Sequence, residues 1–420
     1  MHILFLTQIV PFPPDAGPKV KTWNVLRYLL ERGDQITLIS YVRPEEEQYI
    51  PTLRKFGLEV IPVAMNRSRI KDLVYLLRSL LKSTSFLIER DDLPSFRSAV
   101  NAQLEKNEID AIHADQLTMA QFATVKAGER QPLRVFDAHN AVWTIVARMV
   151  ANLPRIVQPL AQIEAKKVLT FEADTVRNFE HTLAVSEQDR QALLSALPDP
   201  VQRAKVAEKI TVIPIAVDTR QLQPLQRNPD SKEIVTLGTL HYLPNADGIR
   251  WFLNEVFPLV LAQEQGAHLT IIGKNPPPDF WEQAQRDPDH LQVTGYVEDL
   301  APYLSSSAIM VVPVRAGGGM RVRILEAFAR GIPLVTTTVG LEGIDAQDGR
   351  EVLVHDEPGK FAQAVVDLLH SPDHQAKLAQ AGRALVENKY DWQIALRSLE
   401  RVYPRYPASQ GREEAVVRTT

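Results

Sequence analysis

Short β-branched runs alternate with segments of helical period along nearly the whole chain. In the first half the runs fall at 3–6, 36–40, 60–64, 111–113, 134–137 and 182–185. Strand runs separated by helical periods imply a parallel sheet with helices on its faces. Between the first two runs, Val20, Trp23, Val25, Leu26, Leu29 and Leu30 keep a helical spacing that stops at Gly33, as a helix-terminating glycine requires. The rhythm breaks after 211–217, at the polar, proline-bearing stretch 218–232. It resumes with runs at 234–237, 269–272, 292–294, 309–313 and 334–337 and a helical segment at 249–261. The pattern predicts an α/β chain of two doubly wound, Rossmann-like domains at 1–215 and 216–390. Helical spacing at 392–402 places in 391–404 a helix able to return to the first domain. The polar, aperiodic segment 405–420 is predicted to be a disordered tail.

Open sheets of this kind bind ligands beyond the carboxyl ends of their strands. The motifs gather there: Asp15-Ala-Gly17 after the first strand, Asp137-Ala-His139-Asn140 after a middle one, Gly238-Thr-Leu-His241 and Gly317-Gly318-Gly319 in the second domain. A site shared across a cleft between the domains is expected. The most informative segment is 313–337, which joins a strand, a three-glycine turn and an amphipathic helix. Missing Cβ atoms let backbone approach a ligand, and unpaired amides at a helix start favour negative charge. Arg321 and Arg323 add two permanent cations, so the corner reads as an anion site. It is not a dinucleotide fingerprint, because Val322 stands where the third glycine belongs, and no Gly-Lys-Ser/Thr follows as a P-loop requires. The plain alternative is a tight strand-to-helix turn with solvated arginines.

Composition narrows the classes. At 420 residues the chain exceeds a single core, and its formal net charge of −4 gives nucleic acid no general attraction. Without cysteine there is no disulfide, thiolate metal site or cysteine nucleophile. No apolar stretch of about 18 residues predicts a spanning helix, and a cytoplasmic protein is expected. Segment 67–83 sets Ile70, Leu73, Val74, Leu77, Leu80 and Leu81 on one helical side and Lys71, Arg78 and Lys82 on another. That pattern suits a core helix with a solvated face, the reading preferred here, or a helix lying on anionic lipid at the inner membrane face.

The segment Gly317-Gly-Gly-Met-Arg-Val-Arg-Ile-Leu-Glu326-Ala, with Gly331-Ile-Pro333 and Val339-Gly340-Leu-Glu342-Gly343 beyond it, resembles the glycine-rich motif of the group 1, or family 4, retaining glycosyltransferases of the GGG type. Stretches 11–17, 137–140, 185–189, 212–214, 238–245 and 293–299 are similar to further family segments in the same order, so the resemblance covers about residues 1–404. It implies the GT-B fold, with an acceptor-side first domain and a nucleotide-sugar-binding second one. It also implies transfer of a sugar from a nucleoside-diphosphate-sugar to a sugar, lipid-linked or small-molecule acceptor, in polysaccharide, glycolipid or glycoconjugate synthesis, with neither cofactor nor metal.

Carried over by position, Glu326 resembles the carboxylate that accepts hydrogen bonds from the donor ribose. His139 resembles the histidine near the donor sugar, whereas His113 reads as a sheet-end structural residue. Gly318 stands where many members carry a first glutamate for the sugar. The Gly238 loop lacks the usual Arg and Lys for the diphosphate, so Arg321 and Arg323 are the substitutes. Asp15 and Gly17 belong to the loop that meets phosphate or acceptor; Pro18, in place of a second glycine, shifts it toward the acceptor. A GT-B epimerase or hydrolase, or a non-catalytic nucleotide-binding relative, is the alternative.

Overall fold

A computed structural model describes residues 1–65, 68–123, 131–151, 153–228 and 230–404, with the backbone alone at residue 69. Two parallel sheets carry the chain. The first, ordered β3-β2-β1-β4-β5-β6-β7, is built from β1 (His2–Thr7), β2 (Gln35–Val42), β3 (Glu59–Ala64), β4 (Ala111–Asp115), β5 (Leu133–Ala138), β6 (His181–Ala184) and β7 (Ile210–Val212). The second, ordered β10-β9-β8-β11-β12-β13, uses β8 (Glu233–Leu237), β9 (His268–Ile272), β10 (Leu291–Gly295), β11 (Ile309–Val312), β12 (Leu334–Thr336) and β13 (Leu353–Val354). Central strands such as β1 and β11 are apolar because helices cover both faces. In each sheet the order reverses beside the first strand, between β1 and β4 and between β8 and β11. Crevices for ligands open at such reversals.

Five helices matter for the site: α1 (Gly17–Glu31), α2 (Arg69–Leu81), α3 (Val142–Ala151), α4 (Gln158–Asn178) and α5 (Val322–Ala329). Helix α1 starts with Pro18 in its first turn, where a missing N–H costs nothing, and stops at Gly33 with φ +90°. The segment expected as one helix over 249–261 is three pieces, Leu243–Trp251, a wide turn Phe252–Val256 and Phe257–Leu261. Pro258, which cannot donate an amide, accounts for the interruption.

The two chain crossings between lobes run side by side. Val217 N donates to Tyr390 O (2.9 Å) and Trp392 N to Val217 O (3.0 Å), while the Asp391 carboxylate accepts from Thr219 N and Oγ1. Beyond this junction Trp392, Leu396, Leu399, Val402 and Tyr403 bury themselves with Ile3, Phe5, Val25 and Ile36 of the first lobe. The tail 405–420 lies outside the described residues, as does Arg67.

The core reading of 67–83 is overturned. In α2 the apolar side chains face outward, with Ile70 78%, Leu77 54% and Leu81 87% exposed. Helical period records that one side of a helix is apolar, and says nothing of what lies against it. Among the described residues no helix is long and apolar enough to cross a membrane.

Candidate active site between the lobes

The carboxyl ends of the two sheets meet at the three-glycine turn. Strand β11 ends at Val312, residues 313–321 form the loop, and α5 begins at Val322. Gly317 (φ +104°) and Gly319 (φ +83°) take the left-handed conformation that side chains resist, so the turn needs glycine there. The amides of Gly318 to Val322 have no hydrogen-bond acceptor among the described residues.

Opposite this turn stand α1 and α3 of the first lobe. A methyl at Gly17 would lie 3.3 Å from Val322 Cγ2, so the starts of α1 and α5 face each other at contact distance. Arg148 of α3 donates to Gly317 O (3.2 Å) and lies 3.8 Å from Glu342, and the Asn140 side chain packs on Gly319. Asp15 pairs with Lys274 across the gap (3.1 Å), which with Lys19 holds its carboxyl below the usual range although burial opposes this. Two cavities open here. One of about 60 Å³ is bounded by Asn140, Ser186, Gly318 and Glu342; one of about 620 Å³ by Arg148, Gln188, Gly317 and Glu342.

Both arginines, expected as the cations for a diphosphate, are held by backbone carbonyls. Arg321 folds over the turn and donates to the carbonyls of Gly318 and Gly319. Arg323 lies beneath it, giving Nη1 to Leu237 O (2.8 Å) and Nη2 to Asn245 Oδ1 (3.0 Å), while its Nε has no partner among the described residues. Burial and the Arg321 charge push Arg323 down to about 10, so it stays cationic at neutral pH. A methyl at Gly238 would sit 2.7 Å from Arg323 Nη1, so the bare glycine makes room for this guanidinium. Two largely buried cations with carbonyl partners leave positive potential at the turn.

Glu326 sits one turn into α5, half-buried, with no hydrogen-bond partner for its carboxyl among the described residues. Burial pushes the carboxyl up, against the pull of Arg330 and Arg323. An enclosed carboxylate without donors is costly unless a ligand supplies them.

In the first lobe the register aligns Thr7, Asp115 and Asp137 along one sheet edge. His139 Nε2 donates to Asp115 Oδ1 (2.7 Å), and Thr7 and Thr22 hydroxyls donate to Oδ2 (2.8 and 2.9 Å). Because the carboxylate only accepts, Nε2 carries the proton and a neutral His139 offers Nδ1 as an acceptor; that atom is buried without a protein partner among the described residues. Asp137 does not reach the cleft. Burial favours its neutral form, but Lys21, which bonds it, and His113 hold it well below the carboxylate range. His113 stacks on Phe5 and meets the Tyr403 hydroxyl (2.6 Å). His113, Asp115 and Asp137 hold ligand-type atoms within 4.8 Å of one another; Lys21, Tyr403, His139 and the threonines engage one atom or more of each residue, while His113 Nε2 and Asp137 Oδ2, 3.5 Å apart, have no hydrogen-bond partner among the described residues. An Asp-x-Asp spacing does occur, at Asp287 and Asp289, but it precedes β10 at the sheet end opposite the cleft, where Asp287 bonds His290 (2.7 Å).

Two Rossmann-like lobes meeting at such a turn define the GT-B arrangement. Segment 231–371 matches the family described as Glycosyl transferases group 1, and 17–221 matches Glycosyltransferase Family 4; the chain belongs to the group 1, family 4 glycosyltransferases. Its fold is similar to Anabaena Alr3699/HepE in complex with UDP and glucose (TM-score 0.65, 14% identity, 96% of this chain and 98% of that one). It is also similar to sucrose-phosphate synthase from Thermosynechococcus elongatus (TM-score 0.68, 16% identity, 96% and 98%). In sequence, an uncharacterized 44.6 kDa protein in the cps region of Klebsiella pneumoniae is 23% identical over 164 residues, 38% of this chain and 42% of that protein. A GDP-mannose-dependent monoacylated alpha-(1-6)-phosphatidylinositol monomannoside mannosyltransferase of Corynebacterium glutamicum is 28% identical over 166 residues, 37% of this chain and 43% of its own. These alignments span about two fifths of the curated relatives' length.

Proposed function

We propose that the protein is a retaining glycosyltransferase that moves a sugar from a nucleoside-diphosphate donor to an acceptor hydroxyl in the gap between its lobes. The observation that carries the reading is the unpartnered Glu326 carboxyl set one turn below unpartnered amides and two buried arginines. A diol beside a diphosphate satisfies all three: ribose hydroxyls donate to Glu326, and phosphate oxygens accept from the amides of Gly318 to Val322. The ligands of similar proteins, UDP with glucose for HepE and GDP-mannose for the Corynebacterium enzyme, support this donor class.

Catalysis follows from charge that grows during the reaction. As the bond from anomeric carbon to diphosphate lengthens, negative charge gathers on the leaving oxygens, and amides fixed at the helix start with Arg321 and Arg323 stabilise it more than they stabilise the ground state. These cations supply what a divalent metal would, so chelator leaves the rate unchanged in this account. His139 Nδ1 accepts from a hydroxyl of the donor sugar and positions it. Glu342 and Asp189 line the small cavity with Gly318, where a first glutamate is missing, and Glu342 is proposed to serve in its place. Asp15 and Gly17 present the acceptor. A cytoplasmic site of reaction is part of this proposal and is supported only by the proposed nucleotide-sugar donor.

The test is a panel of UDP-, GDP- and dTDP-sugars, scored first by thermal stabilisation and then by product analysis with and without acceptor. One donor is expected to raise the melting temperature and to be consumed in proportion to acceptor. Full donor turnover without acceptor would instead identify an epimerase or hydrolase.

A further inference from the structure

We infer that the outer face of α2 and α4 docks the protein on an anionic lipid bilayer. Thirteen of the 21 large apolar side chains exposed among the described residues fall between positions 70 and 163. Nine of them lie on α2 and α4, which touch: Lys167 Nζ of α4 donates to Ser79 O of α2 (3.0 Å), and just past α2 Ser85 Oγ donates to Glu164 Oε1 of α4 (2.6 Å). Leu73, Leu77 and Leu81 on α2, Ile156 just before α4, and Leu160 and Ile163 in its first turns are each half or more exposed. So large a cluster of exposed apolar side chains marks an interaction surface.

Charge selects the occupant. Segment 68–84 carries four Lys and Arg against one Asp, and 142–170 carries four against one Glu; with Glu89, which pairs with Arg78 and Lys82, and Glu342, 3.8 Å from Arg148, this face is still +4 in a chain of net −4. Arg155 and Lys166 are exposed beside the apolar side chains. A second copy of this chain would bring the same positive surface against itself, because a two-fold interface pairs identical patches. An anionic bilayer satisfies both features at once: aliphatic side chains enter the headgroup boundary while lysines and arginines meet lipid phosphate. Arg148 of α3, beside the exposed Met149, reaches Gly317 O, so the docked face adjoins the gap between the lobes.

Docking does not depend on the transferase reading, and its test needs no substrate. Full-length protein is sedimented with vesicles of phosphatidylcholine alone and of phosphatidylcholine mixed with phosphatidylglycerol, at low and high salt. Expected is pelleting with the anionic vesicles that salt weakens, and a loss of about tenfold or more in partitioning for the triple variant Leu73→Glu, Leu77→Glu, Leu160→Glu. These side chains are exposed, so melting temperature and any nucleotide binding stay as in the wild type. Absence of pelleting with anionic vesicles, or pelleting indifferent to the substitutions, overturns the inference. So does a dimer that the substitutions dissociate in a protein that ignores vesicles.

Discussion

Gly238→Ala perturbs the proposed anion site without removing a charge. The added methyl would stand 2.7 Å from Arg323 Nη1 and 3.3 Å from Asn245 Nδ2, so the guanidinium has to retreat by roughly half an ångström or more. Gly238 is outside the left-handed region, and the backbone itself accepts alanine. The retreat strains or breaks the bonds from Nη1 to Leu237 O and from Nη2 to Asn245 Oδ1, and it moves the cation away from where the diphosphate is proposed to sit. Hydrogen bonds of a charged group contribute about 1.5–3 kcal/mol each. Loss of one such contact to phosphate weakens nucleoside-diphosphate binding about ten- to a hundredfold. The assay is calorimetric titration with UDP and with GDP, beside a thermal melt that should fall by only a few degrees. Gly359→Ala is the control, because a methyl there meets nothing within 4 Å. If Gly238→Ala binds the nucleotide as tightly as the wild type, Arg323 does not serve the diphosphate and the reasoning fails.

Other outcomes follow from the same geometry. Glu326→Gln should weaken nucleotide binding by about tenfold or more in calorimetry. Burial raises this carboxyl, so the variant's thermal stability relative to wild type should grow as pH rises above the usual carboxylate range; equal affinity would remove the ribose role. Asp115→Asn replaces the acceptor that fixes the His139 tautomer, and kcat should fall by about a hundredfold with nucleotide affinity retained and the pH profile altered. An unchanged profile would leave Asp115 a purely structural residue. Glu172 accepts from Val142 N and Trp143 N at the start of α3; burial, with Asp189 adding, pushes it from the ordinary 4.5 to about 7 against those two bonds. The folded state holds this proton more tightly than the unfolded one, so the stability it brings is complete below pH 4.5 and is lost as pH rises through about 7. Urea unfolding of wild type and Glu172→Gln should therefore diverge by on the order of 3 kcal/mol across that window; parallel pH curves would contradict the assignment.

The sheets were legible because parallel strands buried on both faces leave continuous β-branched runs, as at Ile3 to Leu6 and Ile309 to Val312. Strand β13 escaped because Leu353–Val354 is two residues long and has no period to read. The turn at Gly317 to Gly319 was legible because glycine clusters mark backbone that side chains cannot follow. What its arginines do was not, since a sequence shows that a cation is near a loop and not which carbonyls it satisfies. Asp115 and Lys21 were missed for a related reason. Asp115 ends an apolar run and Lys21 lies in a helix, each unremarked alone; they meet His139 and Asp137 only because β1, β4 and β5 align their last residues. Their one available signal was a polar residue closing each of three neighbouring strands, Thr7, Asp115 and Asp137. For α2 the period was right and the environment was not, because an apolar stripe looks the same whether a core covers it or it is left exposed.

A crystal structure of the protein with a bound nucleoside diphosphate, UDP or GDP as the donor panel directs, tests the central claim most directly. Diphosphate oxygens are expected at about 3 Å from amides in Gly318 to Val322, with ribose hydroxyls on the Glu326 carboxylate. A nucleotide seated elsewhere, with that turn and Glu326 untouched, would contradict it.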